Sequence, residues 1–203
     1  MRLLITRHGK TKYNQTGIIQ GKRHGSVDEL GFKQISKLIE RIKKENITRI
    51  ISSDIPRCKT TTEEILKVFD VPVEYTELIR EKDNGDFVGK HKDEVDWSSL
   101  GEDFDNRRPP NGESLVMVRK RGRKFFKELL KKYRDTNEVI LMVSHGAFLK
   151  VFLGDLLGMN LYNSIFKIFI EHCSLTEIEI NKKYKEGYHL KFLNEKNYLG
   201  DLI

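Results

Sequence analysis

Cysteine is scarce. The 203 residues contain two, Cys58 and Cys173, too few for a disulfide framework, and a reducing cytoplasm is the expected home. Long apolar runs are missing as well. The N-terminus offers only Leu3-Leu4-Ile5, too short for the core of a signal peptide. The longest apolar region, Val139 to Leu157, is interrupted by His145, Lys150 and Asp155, so no membrane span is expected. There are only four prolines and no repeat or low-complexity stretch, which leaves no linker to divide the chain. A chain of this length buries about 70% of its extended area in one core, so residues 1–203 are expected to form a single domain.

Charge, by contrast, is plentiful: 33% of residues are charged, 38% are hydrophobic, and the formal net charge is +7. A basic balance suits nucleic acid, an acidic membrane surface or an anionic small substrate. Lys33, Lys37, Lys43 and Lys44, and likewise Lys124, Lys127, Lys131 and Lys132, fall on putative helices and read as solvated faces. Arg119-Lys120-Arg121 with Arg123-Lys124 is the one local basic cluster. No aromatic residue is interleaved there at a stacking spacing, which disfavours nucleic acid.

Periodicity outlines the elements. Arg2 to Arg7 reads as a strand buried on both faces, followed by a polar loop from Gly9 to Gly25. Ile35, Leu38, Ile39 and Ile42 mark an amphipathic helix that ends near Asn46. A strand follows at Thr48 to Ser52. Asp54 and Pro56 then open a helix with a stripe of Cys58, Ile65, Leu66 and Phe69, and Val71 to Tyr75 is a third strand. From Glu77 to Gly112 the periodicity fades into a functional excursion, with a short helix near Asp93 to Leu100. A long helix runs from Glu113 to Arg134. Val139 to Val143 is the most apolar strand, with an apolar helix after it to Leu157. Strands at Ser164 to Ile170, Ser174 to Ile180 and Gly187 to Leu193 close the pattern. This order predicts an α/β fold: one three-layer αβα domain, a mostly parallel central sheet, and a short insertion, residues 77–112, over the active site.

Three motifs share one kind of place, the carboxyl end of a strand, where open α/β sheets bind ligands. Arg7-His8-Gly9 leaves the first strand, Ser52-Ser53 with Arg57 the second, and Ser144-His145-Gly146 the most buried one. Two arginines and two histidines would then meet at one sheet edge. Guanidinium forks match phosphate oxygens, and a helix N-terminus adds N–H donors. Like charge keeps a histidine among arginines neutral and therefore nucleophilic, able to take a phosphoryl group covalently. The other histidine would donate to the equatorial oxygens as charge spreads. Gly9 and Gly146 would let the backbone approach the anion. Taken alone, His145 reads as a core or capping histidine and Arg57 as an exposed helix residue; their shared location carries the inference.

Arg7-His8-Gly9 with Thr11 and Asn14, Ser52-Ser53-Asp54-Ile55-Pro56-Arg57, Glu81, and Ser144-His145-Gly146 together resemble the histidine phosphatase superfamily, in the branch containing cofactor-dependent phosphoglycerate mutase. The resemblance runs to about Thr176. It implies His8 as phosphorylated nucleophile, a phosphate pocket of Arg7, Arg57 and His145, Asn14 on the phosphate, and Gln20-Gly21 lining the mouth. It implies Glu81 as the acid that protonates the leaving alkoxide and then activates water. For a phosphatase it implies neither metal nor organic cofactor. Pro109-Pro110-Asn111-Gly112-Glu113-Ser114 resembles the family's approach to its long helix. Arg107 and Arg108 just before it stand where a second substrate phosphate or carboxylate would be held, or are a solvated loop pair. Val88 departs from the pattern, standing where most members carry a glutamate. His24, His91, His172 and His189 match no catalytic position, though His172 lies where a late strand begins.

Only about twenty residues separate Gly89 from Asn111, a short lid that favours attack by water over retention of the phosphoryl group. The expected activity is hydrolysis of a small phosphorylated metabolite through a phosphohistidine. A phosphoglycerate mutase dependent on 2,3-bisphosphoglycerate and a non-catalytic phosphate- or nucleic-acid-binding protein are the alternatives. Lys10, Lys12, Lys22 and Arg23 near the nucleophile suit a polyanionic substrate; the oligomeric state is not legible.

Overall fold

The computed structural model describes residues 1–23 and 25–203, so His24 lies outside the described residues. The strands are β1 (Arg2–Arg7), β2 (Arg49–Ser53), β3 (Val73–Thr76), β4 (Val139–Ser144), β5 (Leu175–Ile180) and β6 (Tyr188–Glu195). They form one sheet in the order β3-β2-β4-β1-β5-β6. β1 pairs parallel with β4, and β2 pairs parallel with both β3 and β4. β5 and β6 complete the sheet antiparallel. The helices are α1 (Lys12–Gln15), α2 (Glu29–Ile42), α3 (Pro56–Leu66), α4 (Leu115–Tyr133), α5 (Gly146–Leu156) and α6 (Leu161–Lys167).

Alternation along the strands makes the three layers. Leu3, Ile5, Ile140 and Met142 face one side and pack with Val118, Phe125, Phe148 and Phe152 of α4 and α5. Leu4, Ile50, Leu141 and Val143 face the other and pack with Ile35, Leu38 and Ile65 of α2 and α3. Both clusters are buried, each large side chain contributing roughly 1.5–3 kcal/mol. The fold class expected from the sequence is the one observed. Helix starts follow their caps: the Asp28 carboxylate accepts from Gly31 N at 2.7 Å, and Ser114 Oγ from Met117 N at 3.3 Å.

Three elements differ. The stretch expected as a polar loop, Gly9 to Gly25, contains helix α1, and the short helix expected near Asp93 to Leu100 is two separate 3-10 turns. The strand expected at Ser164 to Ile170 is the helix α6 followed by extended chain. Asn160 caps it, its side-chain oxygen accepting from Asn163 N at 2.8 Å, and buried Leu161 and Ser164 recur at a spacing of three. The apolar residues Ile165, Phe166, Ile168 and Ile170 mimic a strand when that cap is overlooked.

Residues 77–112 run as short 3-10 turns at Glu77–Ile79, Gly85–Phe87, Lys92–Glu94 and Ser98–Leu100. Backbone hydrogen bonds fasten the segment: Gly89 N donates to Ile19 O at 2.8 Å, Ile19 N to Lys90 O at 3.0 Å, and Asp86 N to Pro110 O at 3.0 Å. Gly85, at φ +49°, lies so close to the Pro110 carbonyl that a Cβ would collide with it. Main-chain bonds thus hold the loop, while Val88 packs against Gly21. Among the described residues no helix is long and apolar enough to cross a membrane.

Candidate active site

The parallel register brings the motifs together. Arg7 is paired with Ser144 and Ser52 with Val143, so β1, β2 and β4 end at one edge, and His8 N donates to Ser144 O at 3.0 Å. His8, Arg57 and His145 are all buried there. The hydrogen bonds fix the His8 tautomer. Nδ1 lies 2.8 Å from the Gly9 carbonyl, which can only accept, so Nδ1 carries the proton. Nε2 then presents a lone pair, which accepts from Arg57 Nε at 3.0 Å. Burial, reinforced by Arg57, holds the His8 imidazole well below the usual histidine range.

Arg57 is fixed from three sides. Besides His8, its Nη2 donates to Gly21 O at 2.9 Å and its Nη1 to Arg23 O at 3.2 Å. Gly21 therefore holds the arginine through its carbonyl, while buried Gln20 sets its side-chain amide 3.1 Å from Thr11 Oγ1. Asn14 Oδ1 accepts from Thr11 Oγ1 at 2.7 Å and from Thr11 N at 3.2 Å, a capping box that seats its amide beside the nucleophile loop. Arg7 donates from Nη1 to Ile170 O at 2.9 Å, and its buried Nε has no hydrogen-bond partner among the described residues. Its guanidinium lies flat on Gly146; the nearest atom is 3.2 Å from where a Cβ would stand. Burial pulls both guanidiniums below their usual range.

His145 precedes α5, its Nε2 2.8 Å from Ser53 Oγ and 3.3 Å from the buried Cys58 thiol. Burial holds this imidazole well below the ordinary histidine range too, with Arg57 adding to it, and the same burial pushes the Cys58 thiol up. Its ring centroid is 5.2 Å from that of His8. Glu81 sits at the start of α5, its Oε1 accepting from Phe148 N at 3.0 Å and Lys82 N at 2.9 Å, its Oε2 from Ala147 N at 3.3 Å. Arg107 and Arg108 part company. Arg107 lines a cavity that begins at Ala147, whereas Arg108 is exposed, spends its Nε on Gly112 O at 2.7 Å, and does not line it.

Three residues join the site without a motif to announce them. His172 has its ring centroid 5.1 Å from that of His8 and donates from Nδ1 to the His8 carbonyl at 2.9 Å. Cys173, at φ +56°, turns the chain there, and its N–H donates to Arg7 O at 3.0 Å. Thr61 Oγ1 accepts from Gly9 N at 3.1 Å, tying α3 to the nucleophile loop. Arg121, in the basic cluster, is no free cation: it forks onto Glu113 and donates to the carbonyls of Leu78 and Glu81 at 2.9 and 3.1 Å. No group of three or more His, Cys, Asp or Glu among the described residues is arranged to hold a metal ion.

A buried bare imidazole among guanidiniums and helix N–H groups can bind a dianionic phosphoryl group and attack it. Residues 3–195 match a family model described as the histidine phosphatase superfamily (branch 1). A protein named "probable phosphatase" from Schizosaccharomyces pombe is 29% identical over 189 residues, covering 90% of this chain and 88% of that one. A "probable phosphoglycerate mutase" from Proteus mirabilis is 27% identical over 210 residues, covering 100% and 96%. Bacillus stearothermophilus YhfR, a solved structure 23% identical, covers 98% of both chains with a TM-score of 0.87, a likeness of fold.

Proposed function

The chain belongs to the histidine phosphatase superfamily, and on that footing we propose that it hydrolyses a small phosphomonoester, without a metal, through a phosphohistidine at His8 Nε2. The bound phosphoryl oxygens take over the Arg57 N–H that rests on Nε2, which frees the lone pair as the group arrives. Nε2 attacks phosphorus and the P–O bond to the leaving group breaks. Glu81 gives its proton to the departing oxygen. Arg7, Arg57 and the Asn14 amide hold the equatorial oxygens as charge spreads over them. With the Ser53 hydroxyl donating to its Nε2, His145 offers an Nδ1 proton to the same oxygens. Water then attacks phosphorus, Glu81 takes its proton, and the P–N bond breaks to restore neutral His8.

The observation that carries this reading is the tautomer lock: a proton committed to Gly9 O and a lone pair held by Arg57. The short loop between Gly89 and Asn111 supports water as acceptor over a second substrate hydroxyl. The two buried free thiols support a cytoplasmic home. Purified protein assayed against phosphorylated metabolites is expected to release inorganic phosphate. His8→Ala is expected to lose at least roughly 1,000-fold of that rate, by analogy with loss of other catalytic nucleophiles. Full activity in His8→Ala overturns the nucleophile. Isomerisation of 3-phosphoglycerate stimulated by 2,3-bisphosphoglycerate and faster than phosphate release overturns the hydrolase.

A further inference from the structure

Beside the phosphoryl pocket lies a cavity of about 430 Å³. It begins at Ala147, whose N–H holds the Glu81 carboxylate, and at Lys82, the next residue after Glu81. This space is therefore open to the remaining atoms of a substrate whose leaving-group oxygen meets Glu81. The walls are apolar and aromatic, with Trp97, Phe104, Leu115 and Phe166 among them. Phe166 is 63% exposed although it packs 5.7 Å from Phe104, so much of its apolar surface stays unpartnered.

Two cations break the apolar lining. Lys82 is only 7% exposed, yet no carboxylate among the described residues lies within 4.0 Å of its ammonium; it donates to Asn84 Oδ1 at 2.9 Å and stands 5.2 Å over the Trp97 ring. Burial draws it down to about 8. Arg107 stands 5.8 Å over Phe104 and likewise forms no ion pair among the described residues. The carboxylates of Glu81, Glu113 and Asp83 act on the Lys82 ammonium only from beyond 4.0 Å, so its burial is incompletely offset, and the neighbouring space has room for a further anion.

We propose that this cavity receives the leaving group and selects a flat aromatic ring that bears an anionic substituent, so that the preferred substrates are aryl phosphomonoesters carrying a carboxylate. The ring stacks among Trp97, Phe104 and Phe166, and the carboxylate meets Lys82, with Arg107 on the other side. This inference rests on the phosphatase reading, since it places the leaving group beside Glu81, next to Ala147 and Lys82.

The test compares kcat/KM for 4-carboxyphenyl phosphate, phenyl phosphate and glycerol 3-phosphate, and pairs it with binding of the non-hydrolysable 4-carboxyphenylphosphonate and phenylphosphonate. Trp97 is the chain's single tryptophan, so its fluorescence reports occupancy of the cavity without any turnover. Carboxyphenyl phosphate is expected to exceed phenyl phosphate about tenfold, and phenyl phosphate to exceed glycerol 3-phosphate about tenfold, each step equivalent to about 1.4 kcal/mol. Lys82→Met should collapse the first ratio toward one, and Phe166→Ala the second. Glycerol 3-phosphate turned over as well as the aryl esters, or a Lys82→Met variant that keeps the carboxylate preference, overturns the proposal. Should no phosphomonoester be hydrolysed while 4-carboxyphenylphosphonate still quenches Trp97 in a Lys82-dependent way, the cavity assignment stands and the hydrolase reading falls.

Discussion

At the residue scale, the site is defined by groups that burial keeps in one protonation state. His8, His145 and His172 are all held well below the usual histidine range, first by burial and then by the surrounding cations. In the unfolded chain each titrates near the ordinary value of about 6.5. Below that pH the unfolded chain binds protons that the folded chain refuses, so stability falls as the pH drops from about 6.5 toward the folded values. Each histidine contributes a slope of up to about 1.4 kcal/mol per pH unit, or about 4 for the three together. His172→Asn keeps a donor for the His8 carbonyl and removes one titrating group. Urea unfolding at pH 7, 6 and 5 should therefore show a shallower loss of stability in the variant, by up to about 1.4 kcal/mol per pH unit. Parallel slopes would contradict the assignment. The sequence marks His172 only as the start of a late strand; its contact with His8 depends on β5 lying antiparallel beside β1, a pairing across more than 160 residues.

At the element scale, the excursion and two helices share the task of placing Glu81. Its carboxylate rests on the first N–H groups of α5, while Arg121 of α4 holds its main-chain carbonyl and that of Leu78. The Arg121–Glu113 pair is mostly buried, and breaking such a pair costs about 3–5 kcal/mol because the partner is left uncompensated. Arg121→Met should lower kcat roughly 10- to 100-fold through misplacement of Glu81, with a smaller change in KM. Steady-state kinetics checks this, and Arg121→Lys should recover part of the loss. An unchanged kcat in a destabilised variant would make Arg121 a structural tie only. The sequence shows Arg121 inside a basic run, and no periodicity reveals that its carbonyl partners lie on a loop some forty residues earlier. Helices α2, α3, α4 and α5 were legible because each shows one apolar stripe and a cap or breaker. Helix α6 was not, since seven residues carry too little periodicity to outweigh apolar Ile165, Phe166, Ile168 and Ile170.

At the scale of the whole molecule, the layered α/β architecture was legible from the alternation of strands and helices, and so was the edge at which the Arg7-His8, Arg57 and Ser144-His145 segments meet. The cavity was not, because Trp97, Phe104 and Phe166 are brought together by the path of a loop without periodicity. Much of the surface charge is paired, as in Lys33 with Glu29, Lys67 with Glu64 and Lys132 with Glu74, yet a net charge of +7 remains. That excess favours encounter with a dianion at long range. Raising sodium chloride from about 20 to 200 mM shortens the screening length to less than half, and kcat/KM for a phosphate dianion should fall severalfold. The same fall should be absent for an uncharged probe of the cavity. A rate indifferent to salt would mean that only the buried pocket charges matter.

The most direct measurement is to mix the protein rapidly with phosphorus-32-labelled substrate, quench in alkali and map the labelled residue. Label should appear on His8, at Nε2, stable in alkali and lost in acid, and it should form and decay at rates that match turnover. Phosphate released at the full rate with no label on His8, or label on Nδ1, would contradict an attacking nitrogen freed by the proton on the other side of the ring.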